Sequence, residues 1–208
     1  MVKSFITSIL LILSLGTANC QQEIYIKNIE FVRKDVGDGD STILGKLLNA
    51  LHIKTAEYVV RDELLFNENT NTDVDLLDET ERNLRSMGIF TLAKIELDSV
   101  GFNQYNAIVT TQDSWSTYLL PDFNSSAGYN NYGVEFDEYN LLGTGSRLQL
   151  KGLYRQESNI GWQGSLLFFN QRLPGTEFQD SIYIKSNKIR TVQQLNLQIP
   201  YRTLSSAY

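Results

Sequence analysis

The sequence predicts a small α+β module followed by the first strands of an antiparallel transmembrane β-barrel, all-β and incomplete in this chain. Helix-like and strand-like periodicities alternate through the first half. In the second half, segments of alternating apolar and polar residues are separated by turn residues, a pattern typical of outer-membrane barrels. The composition, with 11 Tyr, 10 Phe and 14 Gly but only 3 Pro in 208 residues, favours strands.

The first 20 residues predict a signal peptide for export. Lys3 supplies a positive charge, Phe5 to Leu15 is an apolar run, and small residues lead to Cys20. The run is too short for a membrane-spanning helix, which needs about 20 residues. Two processing routes stay open: lipidation of Cys20, or cleavage after Ala18 or Cys20. Either route leaves no internal disulfide, since Cys20 is the only cysteine, and this suits a Gram-negative envelope protein.

Charge and composition exclude several classes of function. The net charge is −6, the pI is near 4.9 and no Lys/Arg cluster stands out, so we expect no nucleic-acid partner. No catalytic constellation is present, so we expect neither an enzyme nor a cofactor or metal site. His52, the only histidine, is expected to have a packing or surface role. Trp115 and Trp162 are equally consistent with membrane-interface anchors and with core residues.

The module begins with a predicted strand over Glu23 to Val32. Its apolar residues change phase near Asn28, which indicates a bulge or a strand buried on both sides. A helix over Ile43 to Leu51 follows, because its leucines recur at helical spacing. Thr55 is predicted to cap a second helix, whose apolar stripe consists of Ala56, Val59, Val60 and Leu64.

A third helix is predicted after a polar loop over Asn67 to Asp73. Asp75 is expected to cap it, and Gly88 stands where a left-handed residue ends a helix, with Ile89 as the closing apolar contact. Two strands follow, at Phe90 to Leu97 and Tyr105 to Thr111. A hairpin loop, Val100 to Gln104, joins them.

This order of elements resembles a known domain. Together with Val60 to Phe66 (VRDELLF), Glu81 to Arg85 (ERNLR) and Gly88 to Phe90 (GIF), it is similar to a POTRA domain of the BamA-type outer-membrane assembly family. The resemblance covers about Glu23 to Asp113 and assigns residues 21–116 to a POTRA-like domain. It departs at residues 36–53, which are longer than the usual turn. The resemblance implies a client-binding strand edge at Phe90, Leu92, Lys94 and Glu96.

The second part is predicted from period-two alternation. Within Ser146 to Arg155, one face carries Leu148, Leu150, Gly152 and Tyr154, and the other is polar except for Leu153. Similar alternation occurs in three more segments, at residues 134–137, 182–185 and 195–199. Alternation alone fits a membrane barrel and a soluble β-sandwich equally well.

Local motifs favour the barrel. Asp137 to Gly145 resembles the first barrel hairpin of the same family, and the residues that carry this resemblance are Asn140, Leu141, Gly143 and Gly145. Asp113 to Ser116 resembles the junction between module and barrel, and residues 199–204 resemble a later strand. The resemblance assigns residues 126–208 to the first barrel strands.

Those 83 residues hold about five strands of ~10 residues, whereas a single-chain barrel needs at least about eight. The alternatives are a fragment of a longer protein or an assembly of several copies. We expect the fragment, because an open edge in lipid leaves backbone groups unpaired.

The resemblance implies an assembly factor that inserts or translocates β-barrel proteins at the bacterial outer membrane, with the POTRA-like domain in the periplasm. The implied partners are unfolded outer-membrane protein clients, outer-membrane lipid and accessory assembly subunits. Two other functions stay open: a barrel that carries a surface-exposed or secreted passenger enzyme, and a soluble periplasmic binding protein whose second half is a sandwich.

Overall fold

The computed structural model describes residues 23–38, 42–126, 128–156 and 160–200. The predicted signal peptide, with Cys20, and most of the strand-like segment 199–204 lie outside these residues. Within the described ranges, no helix combines the length and apolar character needed to cross a membrane.

The first part is a four-stranded mixed sheet with helices. Its elements are β1 (Glu23–Lys34), α1 (Ile43–Leu51), α2 (Glu57–Arg61), β2 (Thr70–Asp73), α3 (Val74–Ser86), β3 (Phe90–Gly101) and β4 (Gln104–Asp113). The strand order is β2-β1-β4-β3. The two central strands, β1 and β4, are parallel, and the outer pairs are antiparallel. This architecture agrees with the predicted small sheet and its helices.

The core of this part lies between the sheet and the helices. Ile24 and Ile26 of β1 are buried, and a register shift between Ile26 and Asn28 lets Ile29 point to the same side. This is the bulge predicted from the phase change. Helix residues Val60 and Leu84, both fully buried, cover the same side of the sheet. The burial of each of these two side chains stabilises the folded state by about 2 kcal/mol, because apolar surface is removed from water.

Both predicted helix caps in this part are wrong. Thr55 does not cap α2: Ala56 occupies the N-cap position without a side-chain hydrogen bond, because the Thr55 hydroxyl donates to Asp113 instead. Asp73, rather than Asp75, caps α3, and its carboxylate accepts from the Asp75 N–H.

The predicted polar loop also contains a strand. Thr70–Asp73 forms β2 and pairs with β1, because the outer edge of β1 carries backbone groups that need partners. Sequence periodicity gives no signal here, since β2 is four residues long and polar.

Residues with a left-handed backbone conformation end helix α3 and form the β3–β4 turn. Gly88 has φ +72°, which confirms the predicted end of α3, and Ile89 behind it is buried. The β3–β4 hairpin turns more tightly than predicted, through Phe102 and Asn103 only, with Asn103 at φ +53°. Asparagine tolerates this conformation because its short polar side chain bonds locally.

The second part is a six-stranded antiparallel meander. Its strands are β5 (Thr117–Ser126), β6 (Tyr129–Glu138), β7 (Ser146–Arg155), β8 (Gly161–Asn170), β9 (Gln179–Asn187) and β10 (Thr191–Gln198). Each strand pairs with its neighbour in sequence, so β5 and β10 are the two edges. Five strands follow residue 126 up to residue 200, where the described chain ends, in agreement with the predicted number. β5 lies before residue 126, where the barrel strands were predicted to start. It was not predicted because it contains Pro121, and proline is tolerated only in an edge strand.

Candidate functional site

The first candidate feature is the free edge of the four-stranded sheet. β3 lies at this edge and is 12 residues long, whereas β2 at the opposite edge has only four. An edge strand presents unpaired N–H and C=O groups that can accept a further strand. The strand that the sequence analysis selected is therefore an edge strand.

Helix α3 covers part of that edge with an ion pair. Glu81 Oε1 accepts a 2.6 Å hydrogen bond from the Ile95 N–H, and Arg85 donates to the Ala93 carbonyl at 3.2 Å. The two side chains bind each other at 2.8 Å. The Ile95 N–H points away from β4, because it donates to Glu81 on α3. The backbone groups of Ala93 and Ile95 therefore face outward. We call Glu81 and Arg85 the edge clasp.

The clasp corrects the predicted edge residues. Because outward and inward groups alternate along an antiparallel strand, Leu92, Lys94 and Glu96 direct their backbone groups toward β4. Their side chains are exposed on the open face of the sheet, where Lys94 and Glu96 form an ion pair. Phe90 is 9% exposed and belongs to the core, so it is not part of the accessible edge.

The same alternation places Leu97 on the outward side, past the clasp. Its side chain is 37% exposed, and the hydrogen bonds of the clasp reach β3 at Ala93 and Ile95. The outward backbone groups accessible to a partner strand therefore lie at Leu97 and beyond.

The second feature is a buried polar junction between the two parts. Asp113 is 1% exposed, and its Oδ2 accepts from both the backbone N–H (2.7 Å) and the hydroxyl (3.0 Å) of Thr55. The Thr55 hydroxyl in turn accepts from Asn140 at 2.8 Å. Asn140 thus connects the module to the second sheet.

His52 and Asp35 extend this junction. The ring of His52, with a side chain 3% exposed, lies 2.8 Å from Asp35 and 3.8 Å from Asp113 Oδ2. Of the two roles expected for His52, packing or surface, the buried ring corresponds to packing. Burial raises the pKa of Asp113 above its ordinary value, although the hydrogen bonds from Thr55 and the nearby His52 act in the opposite direction.

The turn between β6 and β7 brings the predicted hairpin residues to this junction. The Gly145 N–H donates to Asn140 Oδ1 at 2.9 Å, and the carbonyl of Gly143 accepts from the Ala56 N–H at 2.8 Å. A Cβ at Gly143 would lie 2.5 Å from the Lys54 carbonyl oxygen, so only glycine fits. Leu141 opens the short 3₁₀ turn.

One part of the hairpin prediction is wrong. Asn140, Leu141, Gly143 and Gly145 connect the second and third strands of the sheet, not the first and second. The first hairpin joins β5 and β6. The discrepancy has the same cause as the missed boundary, because β5 was not recognised in the sequence.

The third feature is the separation of the two faces of the six-stranded sheet. The register places most of the large exposed apolar side chains of the six strands on one face: Leu119, Phe123, Tyr132, Val134, Leu150, Tyr154, Trp162, Ile182, Ile184, Leu195 and Leu197. Three others, Tyr118, Leu120 and Tyr129, lie on the opposite face. Within the described chain, no second sheet covers this face. A soluble sandwich would bury it, so the sandwich alternative does not describe this structure.

Four aromatic residues form a row at one end of the apolar face. Phe123, Tyr132, Tyr154 and Trp162 are directly paired across β5 to β8. The two outer pairs of rings contact edge to face, with centroids 6.2 Å apart for Phe123 and Tyr132 and 5.3 Å apart for Tyr154 and Trp162. Trp162 is 71% exposed and therefore not a core residue. Such rows border the apolar band of membrane barrels.

The opposite face is a ladder of charged side chains. Asp137 and Arg147 form a bidentate ion pair, and Lys151 binds Asp122 at 2.7 Å and Glu135 at 3.2 Å. An amphipathic sheet of this kind separates an apolar from an aqueous environment.

Solved structures share this arrangement of strands. The crystal structure of BamA from Haemophilus ducreyi lacking POTRA domains 1–3 matches 80% of this chain with a TM-score of 0.53 and 16% identity. This chain has a BamA-like fold. CdiB from Acinetobacter baumannii gives a TM-score of 0.49, with 11% identity over 78% of the chain. The chain covers 29% of the length of the BamA structure and 28% of that of CdiB. No protein-family model and no curated protein matches the sequence.

Several residues of this BamA-like fold were missed by the sequence analysis. Glu81 entered the sequence analysis only as part of the ERNLR motif, and its role depends on the N–H of Ile95, 14 residues later in the chain. The junction of Thr55 with Asp113 joins residues 58 apart. The aromatic row requires the register of four strands. Among the candidate features, only the β6–β7 turn has a signal in neighbouring residues, namely its glycine pattern.

Proposed function

We propose that this chain is part of a BamA-type outer-membrane protein that inserts or translocates β-barrel proteins. The observation that carries the proposal is the succession of a small mixed sheet with a free edge and a six-stranded meander with an exposed apolar face. The BamA-like fold supports the same proposal. In this assignment, residues 21–116 form a POTRA-like domain in the periplasm and the meander lies in the outer membrane.

The apolar face would contact lipid and the charged ladder would face water inside the barrel. From Leu148 to Tyr154 the apolar face of β7 extends about 20 Å along the strand, at roughly 3.3 Å per residue. Because the strands of membrane barrels tilt by about 35–45°, this length spans about 15 Å of an apolar band about 25 Å tall, and the aromatic row marks its border away from the periplasm.

The mechanism requires backbone pairing rather than catalysis. An unfolded client offers a β-strand whose main-chain groups pair with the free edge of β3, whatever its side chains. The outward groups near Leu97 are open to such pairing, whereas those at Ala93 and Ile95 are occupied by the edge clasp. Clients and outer-membrane lipid are therefore the proposed partners, and accessory assembly subunits remain a further partner class.

Site-specific crosslinking tests this proposal. A photoreactive residue at Leu97 should capture an unfolded barrel client, whereas the same residue at Asn71, exposed on the short opposite edge, should not. Leu97→Pro should abolish capture, because proline removes an outward N–H. Lys94→Pro would instead break a bond of the ladder to β4 and unfold the edge. Equal crosslinking from Leu97 and Asn71 would exclude β3 as the client edge.

A further inference from the structure

The polar face of the six-stranded sheet carries positive charges that form no ion pair with the carboxylates of the described residues. Lys151 and Lys185 lie in the same cross-strand row, because each is directly opposite Ser165 on β8. Lys151 contacts two carboxylates, Asp122 and Glu135. Lys185 has no carboxylate within 4.0 Å among the described residues. This contrast is unexpected in a chain with a net charge of −6.

Two arginines join Lys185 around one depression. Arg155 and Arg190 line a concavity of about 250 Å³ together with Lys185, and none of its lining residues within the described ranges is acidic. Neither arginine forms an ion pair with any described carboxylate. Three cations at one site repel each other, and an anion removes this repulsion.

Arg155 also has an unused donor. Its Nε is buried and makes no hydrogen bond to any described residue. A buried donor without an acceptor costs about 1–3 kcal/mol, so a ligand that supplies the acceptor is favoured. The position of Arg190 is fixed by Asn187, whose Oδ1 accepts from the N–H groups of Ile189 and Arg190 at 2.9 Å each.

We propose that Arg155, Lys185 and Arg190 form a binding site for a small multivalent oxyanion that bears phosphate groups. The guanidinium groups offer paired N–H donors that match phosphate oxygens, and the Lys185 ammonium adds a point charge. A diphosphate group fits within the depression, since one water molecule occupies about 30 Å³. The site is independent of the proposed function, because it requires only the polar face of the sheet.

Calorimetric titration of inorganic pyrophosphate into the full chain in detergent micelles tests the site. We expect saturable binding that weakens as salt increases. Lys185→Gln and Arg190→Gln should each weaken it about tenfold, the loss of one charge-assisted contact. Arg190 is exposed in a turn, so its substitution leaves the sheet intact. Lys151→Gln is the matched control and should change the affinity less than twofold.

A second titration distinguishes free from lipid-borne phosphate. Micelles doped with phosphatidylglycerol should compete with pyrophosphate only if the site also accepts a lipid headgroup, and either result identifies the source of the anion. Absence of saturable pyrophosphate binding would overturn the proposal. So would an equal loss of affinity in Lys151→Gln and Lys185→Gln.

Discussion

Removal of the edge clasp should loosen β3 locally. In Glu81→Ala, the Ile95 N–H loses its 2.6 Å bond to a carboxylate, and Arg85 loses its partner at 2.8 Å. A hydrogen bond to a charged group contributes about 1.5–3 kcal/mol. The lower end applies here, because the amide is only partly buried. The ion pair adds about 0.3–0.5 kcal/mol, since Arg85 is 52% exposed.

The assay is hydrogen exchange of the peptide that contains Ile95. A loss of about 1.5–2 kcal/mol corresponds to exchange roughly tenfold faster or more. Arg82→Ala is the control, because Arg82 lies on the same helix, is 61% exposed and pairs only with Glu79 at 3.5 Å among the described residues. If Ile95 exchanges at the wild-type rate in Glu81→Ala, the clasp does not protect the edge. If the client proposal holds, the same variant should also increase crosslinking from Leu97.

Three further predictions concern the helix end and the junction. Gly88→Val should lower the free energy of unfolding by about 1 kcal/mol or more in denaturant melts. The cause is backbone strain at φ +72°, since a Cβ there meets nothing within 4 Å. Gly88→Asn should lower the free energy of unfolding by less. Burial raises the pKa of Asp113, so stability should fall as pH rises from about 4 through that pKa, and Asp113→Asn should flatten this part of a pH-dependent melt; an unchanged curve contradicts the assignment. Asn140→Ala should destabilise by about 1–3 kcal/mol in the same melts, because the Gly145 N–H loses its buried partner, whereas the exposed Leu142→Asn should change little; equal effects would argue against the junction.

The sequence predicted those elements whose signal is local. The helix end at Gly88, the bulge near Asn28 and the alternation of β7 each depend on a few neighbouring residues. The two faces of the meander follow from that alternation, because the side-chain period of a strand is two.

The missed features depend on contacts between distant residues. Thr55 has the chemistry of a helix cap, but a buried carboxylate 58 residues away binds its hydroxyl more effectively. β5 was missed because Pro121 contradicts a central strand and gives no information about an edge. Which backbone N–H and C=O groups of β3 point outward depends on its pairing with β4. The alternation of residues along a single strand does not reveal that pairing.

The proposed outer-membrane function depends on whether the apolar face of the six-stranded sheet contacts lipid. Trp162 lies on that face and is 71% exposed, so its fluorescence reports this contact directly once Trp115 is replaced by phenylalanine. In vesicles whose acyl chains carry bromine, the emission of Trp162 in the reconstituted Trp115→Phe protein should be strongly quenched and shifted to the blue. Emission typical of tryptophan in water, unquenched by brominated lipid, would contradict a membrane location for the sheet.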